Sequence, residues 1–391
     1  MPSIEVPLPW PPPPPDEPVA CAAPQTPVET EPLDEVHRGA WFEGPDVVTA
    51  LRVYDGEREY VLPHKLVFTL GASRQRDVAV PGADLSALHC AFVRTGARLR
   101  VHDAHSTNGL YLGDRRVDVL ELHPGDTFTA APLTFLAMNE EMRAQRPIIA
   151  DIVGTSFVPT PDQVLVDAVK QSHPLLITGE TGCDLDRLGR AIHAVSLRRR
   201  RALVELTALP DDRGAQRELL RRAARSSLLI RLDAIKAPLD PAFCGAAFSR
   251  DHHIRVIVVA PTAAVARRLL ALDALKQAVQ LEQLQHIWIR PLGMRPGDVP
   301  GLLDRLLAER RAAFRLADLT PKNRQVLCNH DWRDNFIGLR LVADRLAAIG
   351  RVRGWETMSW HERSAAVGIP KATLFEWFRG FGLTSPLLTR S

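Results

Sequence analysis

The chain has no cysteine pair spaced to clasp a metal. Its five cysteines, Cys21, Cys90, Cys183, Cys244 and Cys328, are scattered with no C-x-x-C among them. That argues against a metal site or a disulfide framework and fits packing residues in a reducing cytosol. Also absent is any apolar run near the ~18–20 residues that cross a bilayer, and the N-terminus lacks a basic region followed by an apolar one. The expectation is a soluble, cytoplasmic protein with no membrane partner. Net charge is scarce too, at +3 over 391 residues, so any affinity for nucleic acid must come from a local patch. What is present, 46% hydrophobic and 24% charged residues, is ordinary globular material sufficient for two or three domains.

One further absence carries chemistry. Gly179-Glu180-Thr181-Gly182 follows the apolar run Leu175-Leu176-Ile177, the strand-then-glycine setting of a phosphate-cradling loop. Asp184-Leu185 stand where such a loop needs Gly-Lys, and no Ser or Thr follows. A working loop wraps phosphates in backbone N–H groups, reaches their oxygens with the lysine and holds magnesium with the hydroxyl. An aspartate there adds repulsion. The loop therefore reads as retained in shape and disabled in chemistry, with no catalytic residue and no metal to assign. Residual ATP binding at Gly179, Glu180, Thr181 and Gly182 is the one cofactor the pattern leaves room for.

Twelve of the 31 prolines stand in the first 32 residues, so residues 1–40 read as an extended, disordered arm. Short β-rich runs broken by Gly, Pro, Asp and Asn follow, including Leu51–Tyr54, Lys65–Phe68, Cys90–Val93, Leu99–Val101 and Phe128–Thr129. Their spacing predicts a β-sandwich over residues 41–140. Beyond Arg146 helices alternate with apolar strands, a βαβ series over 147–290 with strands at Pro174–Thr178, Ala202–Leu206, Leu228–Leu232 and Ile254–Ala260. A helix is expected over Leu185–Arg200. Residues 291–350 read as an all-α lid, and 355–391 as two short helices about a Gly-Ile turn.

Within the sandwich, Gly71-Ala72-Ser73, Ser86-Ala87-Leu88-His89 and Ser106-Thr107-Asn108-Gly109 occur in that order. Hydroxyl and amide side chains on loops of a rigid β-scaffold offer donors to a multi-oxygen anion. The set resembles a forkhead-associated (FHA) domain. The resemblance implies that Ser86 and Thr107 contact phosphothreonine, that Asn108 binds peptide backbone, and that His89, with Gly71 and Gly109, shapes the loops. Ala72 and Ala87 stand where the family has arginines, and Ser73 with Arg74, or Arg76, are candidate substitutes. The alternative is a domain that now serves packing or dimerisation.

Gly179–Gly182, the following Arg190-Ala191-Ile192-His193 helix and Ser227–Ala234 resemble the AAA+ domain of bacterial sigma-54-dependent activators. Asp233 matches the magnesium-associated aspartate, Ala234 replaces the glutamate that orients water, and Ile337 replaces a sensor arginine. The loop that grips the sigma factor is missing. The arginine runs Arg198–Arg201 and Arg221-Arg222-Arg225 could touch DNA or a neighbouring subunit, or form a solvated helix face.

Ala365, Val367, Ile369, Leu374 and Phe378 are spaced to share a small core, and the segment resembles the Fis-type helix-turn-helix that ends those activators. That implies Lys371 and Thr373 at base edges and Arg379 at a phosphate. Glu376, Phe375 and Trp377 depart from the usual basic surface.

The sum is a multidomain chain: FHA-like β-sandwich, degenerate α/β AAA+-like domain with helical lid, and helix-turn-helix. The expected function is DNA-binding transcriptional regulation. Its expected partners are promoter DNA, a Ser/Thr-phosphorylated protein, RNA polymerase or an intact activator, and further copies of itself. The competing readings are a phosphothreonine-dependent scaffold without DNA binding and a divergent ATPase.

Overall fold

The computed structural model describes residues 46–82, 84–130, 132–270 and 284–389; the proline-rich arm and Cys21 lie outside the described residues. Among the described residues eleven strands, β1 (Ala50–Val53), β2 (Glu59–Val61), β3 (Val67–Gly71), β4 (Val78–Ala79), β5 (Cys90–Thr95), β6 (Arg98–Asp103), β7 (Leu110–Leu112), β8 (Arg115–Val117), β9 (Val119–Leu122), β10 (Thr127–Ala130) and β11 (Leu133–Met138), build two sheets, in the orders β2-β1-β11-β10-β7-β8 and β4-β3-β5-β6-β9. The period-two pattern explains them. In β5 (Cys90–Thr95) Cys90 and Phe92 point inward, and in β6 (Arg98–Asp103) Leu99 and Val101 do so while Arg98 and Arg100 face water. Phe68 stacks on Phe92 at 4.8 Å and Phe128 on Phe135 at 5.5 Å, filling the space between the sheets.

Strand β11 (Leu133–Met138), which the sequence pattern does not single out, is buried on both faces. Phe135 and Ala137 enter the sandwich core, whereas Leu136 and Met138 join the core of the next body. The chain then runs directly into helix α1 (Glu140–Val153), started by Asn139, whose side chain accepts from Met142 N at 2.8 Å. The change of character at Arg146 therefore falls inside a helix.

Helix α2 (Pro161–Lys170) precedes a parallel sheet of β12 (Leu175–Gly179), β13 (Val204–Leu206), β14 (Ser227–Arg231), β15 (Arg255–Ala260) and β16 (Gln285–Ile289), ordered β13-β14-β15-β12-β16. Strands β12 (Leu175–Gly179), β14 (Ser227–Arg231) and β15 (Arg255–Ala260) are buried almost throughout, which their continuous apolar runs require. Helix α3 (Leu185–Val195) is shorter than expected. It stops where the Ser196 hydroxyl bonds the His193 carbonyl at 2.8 Å, and the following residues turn. Cys90, Cys183 and Cys244 are buried, and Cys328 is half-buried. No described helix is long and apolar enough to cross a membrane.

Helices at Val299–Glu309, Pro321–Cys328, Asn335–Gly350, Trp360–Val367 and Lys371–Phe381 share one core. The final pair is no separate bead: Leu374, Trp377 and Phe378 bury in the same cluster as Leu327, Trp332 and Leu339. Of the five residues expected to make a private core, Ala365 is exposed, Val367 and Ile369 are half-buried, and Leu374 and Phe378 belong to the lid. Fully buried Asn323 fastens the terminus, donating to Thr384 O at 2.9 Å and accepting from Thr384 N at 2.8 Å.

The sandwich is held on the α/β body by a buried carboxylate. Asp162, with its side chain at 0% exposure, accepts from Arg146 Nε at 2.9 Å, from Arg52 Nε at 3.3 Å and from Asp55 N at 2.8 Å. Arg52 and Asp55 belong to the sandwich, and Arg146 and Asp162 to α1 and α2. At the far end of α2, Lys170 pairs with Asp126 at 3.1 Å. Arg199 and Arg200 pair with Asp46 at 2.9 and 2.8 Å, so part of the first arginine run is committed to this joint. Asp162→Ala leaves two largely buried arginines without their shared carboxylate. It is expected to cost about 3–5 kcal/mol, measured by urea unfolding of the full chain; a cost below about 1 kcal/mol would show that the joint does not depend on this carboxylate.

Candidate functional site

Three places merit chemical scrutiny, and the sandwich loops are the best formed. Gly71 has no room for a side chain, since a Cβ would stand 2.4 Å from Ala87 O. Ala72 N donates to Ser86 O at 3.0 Å, and Ser73 N to Ala87 O at 3.3 Å, pinning the first loop to the second. The second loop meets the third. Thr107 N donates to Ser86 Oγ at 3.0 Å, the two hydroxyls lie 3.4 Å apart, and Asn108 Nδ2 donates to Asp84 O at 3.2 Å. Ser86 is half-buried, while Thr107 and Asn108 are exposed. The hydroxyls therefore open to solvent from a braced base.

His89 is that brace. It is fully buried, its Nδ1 accepts from Ser86 N at 3.4 Å, and its Nε2 donates to Gly109 O at 3.2 Å. Those partners dictate a neutral ring protonated on Nε2. Burial pushes its pKa below the ordinary imidazole range, partly offset by the Gly109 carbonyl. Ser106, absent from the expected contact set, completes the third loop: its hydroxyl donates to Asp103 Oδ1 at 2.6 Å and accepts from Gly109 N at 2.9 Å. Gly109 adopts φ +78, and a Cβ there would stand 2.5 Å from Arg116 Nε. Only glycine fits. The guanidinium of Arg116 thus lies against the phosphate-binding candidate loop, a neighbour set by hairpin pairing of Tyr111 with Arg116 and invisible to motif spacing. Arg74 is exposed on the first loop, and Ser73 Oγ is turned to its own loop, accepting from Gln75 N at 3.3 Å.

The glycine loop sits at the carboxyl end of β12, between β15 and β16, where the strand order of the parallel sheet switches. That is where open α/β sheets hold ligands. Its contents are self-supplied. Asn335 Nδ2 donates to Thr181 O at 3.0 Å, Phe336 N donates to Gly182 O at 3.0 Å, and a Cβ on Gly182 would meet Asp334 O at 2.3 Å. Arg340 of the lid clasps Asp184 with both terminal nitrogens, one at 3.1 Å. Leu185 folds back on the loop, its Cδ2 at 3.0 Å from where a Gly179 Cβ would be. Glu180 is exposed, and Asp233 is engaged by Arg231 Nη2 at 2.8 Å. Among the described residues no group of three His, Cys, Asp or Glu could hold a metal.

On the last helix Leu374, Trp377 and Phe378 face inward and Lys371, Thr373, Glu376 and Arg379 outward. At about 100° per residue, Glu376 and Arg379 lie mid-face, with Lys371 and Thr373 on opposite flanks. The three expected DNA contacts are therefore exposed but interrupted by a carboxylate.

Comparison with known proteins bears on the first of these places. Residues 68–130 match the family model described as "FHA domain". The sandwich contains an FHA domain. No curated relative matches the chain. Among solved structures, NtrX from Brucella abortus in complex with ADP overlaps 63% of this chain and 69% of its own, at 15% identity and TM-score 0.37. EmbR from Mycobacterium tuberculosis, solved with a low-affinity phosphopeptide, overlaps 24% of each chain at 22% identity and TM-score 0.22. An FHA domain solved in a study of phosphothreonine-dependent interactions overlaps 23% of this chain and 95% of its own at 22% identity and TM-score 0.22.

The His89 contacts yield a pH test. With its folded pKa depressed, the ring supports the loops fully above the unfolded value of about 6.5, and that support is lost as pH falls through the folded pKa. Nitrogen-resolved NMR at pH 7 is expected to show the Nε2–H tautomer, with the ring titrating below the ordinary imidazole range. A ring already half-charged at pH 6.5 would contradict the assignment.

Proposed function

We propose that the FHA domain captures a Ser/Thr-phosphorylated partner and that the rest of the chain is a DNA-bound regulator built on a non-hydrolysing AAA+-like body. The observation that carries the reading is the meeting of Ser86, Thr107 and Asn108 on an open, His89-braced rim. Such a rim supplies hydroxyl and amide donors to a phosphate of about −1.5 to −2 charges. Calorimetry with a phosphothreonine peptide library and its unphosphorylated twin tests it. Phosphorylated binders are expected, weakened about tenfold or more by Ser86→Ala or Thr107→Ala, consistent with loss of a charge-assisted bond of roughly 1.5–3 kcal/mol. Equal binding of both libraries would end this reading.

For the α/β body, the inactive reading rests on Leu185 in the lysine's place, Ala234 in the glutamate's, and Asp184 and Asp233 already held by arginines. Magnesium ATP added to the purified chain is expected to give no turnover and no thermal stabilisation; turnover lost on Asp233→Ala would favour a divergent ATPase instead. Ile337 and Leu341, one turn apart on the lid helix and 56% and 47% exposed, support self-association. The regulator would act on RNA polymerase or an intact activator by blocking or recruitment.

DNA binding rests on the exposed Lys371, Thr373 and Arg379. Glu376 among them favours the second reading, a phosphothreonine-dependent scaffold without DNA contact. The two diverge in one measurement. If the helix enters a groove, Glu376→Gln is expected to tighten duplex binding several-fold and Arg379→Ala to reduce the salt slope by about one. A chain whose duplex binding shows no sequence preference and no steep salt dependence is the scaffold.

A further inference from the structure

At the amino ends of the strands, across the parallel sheet's length from the glycine loop, lies a cavity of about 300 Å³. Leu175, Arg255 and Gln285, each the first residue of its strand, contribute to its wall, and α2 covers it with Val164 and Asp167. Most of the lining is apolar, with Val164, Leu175, Ile192 and Ile287 prominent. Gln163, Asp167, Gln285 and His286 add polar groups, and Arg255 is the one arginine or lysine of the wall. It is 1% exposed, forms no ion pair among the described residues, and donates through Nη1 to Ala168 O at 2.9 Å while its Nε has no partner. A carbonyl at a helix C-terminus offsets part of the charge. It does not replace a carboxylate in contact; the nearby Arg198 adds repulsion, and Asp167 attracts the guanidinium without forming an ion pair with it.

The acid in the same wall is already engaged. Asp167 accepts from Gln171 Nε2 at 2.8 Å, and burial raises its pKa above the ordinary range. Arg255, pushed down to about 10 by burial, stays charged at neutral pH. The cavity thus joins a buried guanidinium that has no ion-pair contact and an unpartnered Nε to a largely apolar wall, in a volume that suits a molecule of about ten heavy atoms.

We propose that this cavity is a binding site for a small organic carboxylate, with its acid group on Arg255 and its hydrocarbon part against Val164 and Ile192. This assignment is independent of the phosphopeptide and DNA readings.

Thermal unfolding of the full chain in benzoate, benzamide or inorganic phosphate, at constant ionic strength and pH 7, tests it. Benzoate is expected to raise Tm by about 3–5 °C near a hundredfold excess over its Kd, saturating with concentration. Benzamide and phosphate should each shift Tm by less than about 1 °C. Arg255→Met should abolish the benzoate shift. Because that variant removes a fully buried side chain, Val164→Phe provides the second arm: it narrows the cavity, retains Arg255, and should also abolish the shift. Equal shifts for acid and amide, a shift with phosphate alone, no shift with benzoate, or a benzoate shift that survives Val164→Phe would each overturn the proposal.

Discussion

Asp162 is the residue on which the arrangement of the chain depends. A carboxylate with no exposure is tolerable only where its charge is matched, and here the match is divided between Arg52 of the sandwich and Arg146 of the following helix. Neither body can satisfy it alone. The backbone N–H of Asp55 supplies a third bond, which fixes the turn after β1 as well as the distance between bodies. Because α2 begins at this acid and ends beside Asp126, the helix lies along the sandwich and is tied to it near both ends.

Strand β11 makes the same connection through apolar packing. Its even and odd residues enter different cores, so a shift of register by one residue would exchange the contents of both. The sandwich and the α/β body therefore share a wall and are not joined by a free linker. A phosphopeptide held at Ser86 and Thr107 would act on a domain already fixed to its neighbour, and α2, which carries Asp162, also roofs the Arg255 cavity.

What could be read from the residues follows the range of the interactions. Runs such as Leu228–Ile230 and Val256–Val259 announce buried parallel strands because burial on both faces leaves no alternation, and the FHA loops are legible because their donors are neighbours in sequence. Helix α1 was hidden by Pro147, which sits inside it and reads locally as a break. Strand β11 was missed for want of a two-residue alternation of polar and apolar side chains. Arg116 against Gly109 and Arg340 on Asp184 are tertiary pairings between positions with no shared motif. The interruption of the tail's exposed face by Glu376 follows from helical geometry alone; the merging of the tail with the lid core does not.

The glycine loop shows how groups of the chain itself can hold such a turn in shape. In a phosphate-binding loop the bound anion supplies the charge that draws surrounding groups together. Here a carboxylate of the chain itself, Asp184, supplies negative charge at the loop, and Arg340 of the lid answers it. Gly182 remains necessary because Asp334 presses on it, and Thr181 and Gly182 keep their carbonyls engaged by Asn335 and Phe336. The constraints that preserve glycine at this turn are thus packing constraints between sheet and lid, and they hold whether or not a nucleotide ever arrives. On the proposed reading the substitution at position 184 does two things at once: it repels a triphosphate, and it replaces the triphosphate's service as a bridge between core and lid. On that reading, a lid tied to the loop by the chain's own ion pair suits a body that positions an FHA domain and a helical tail.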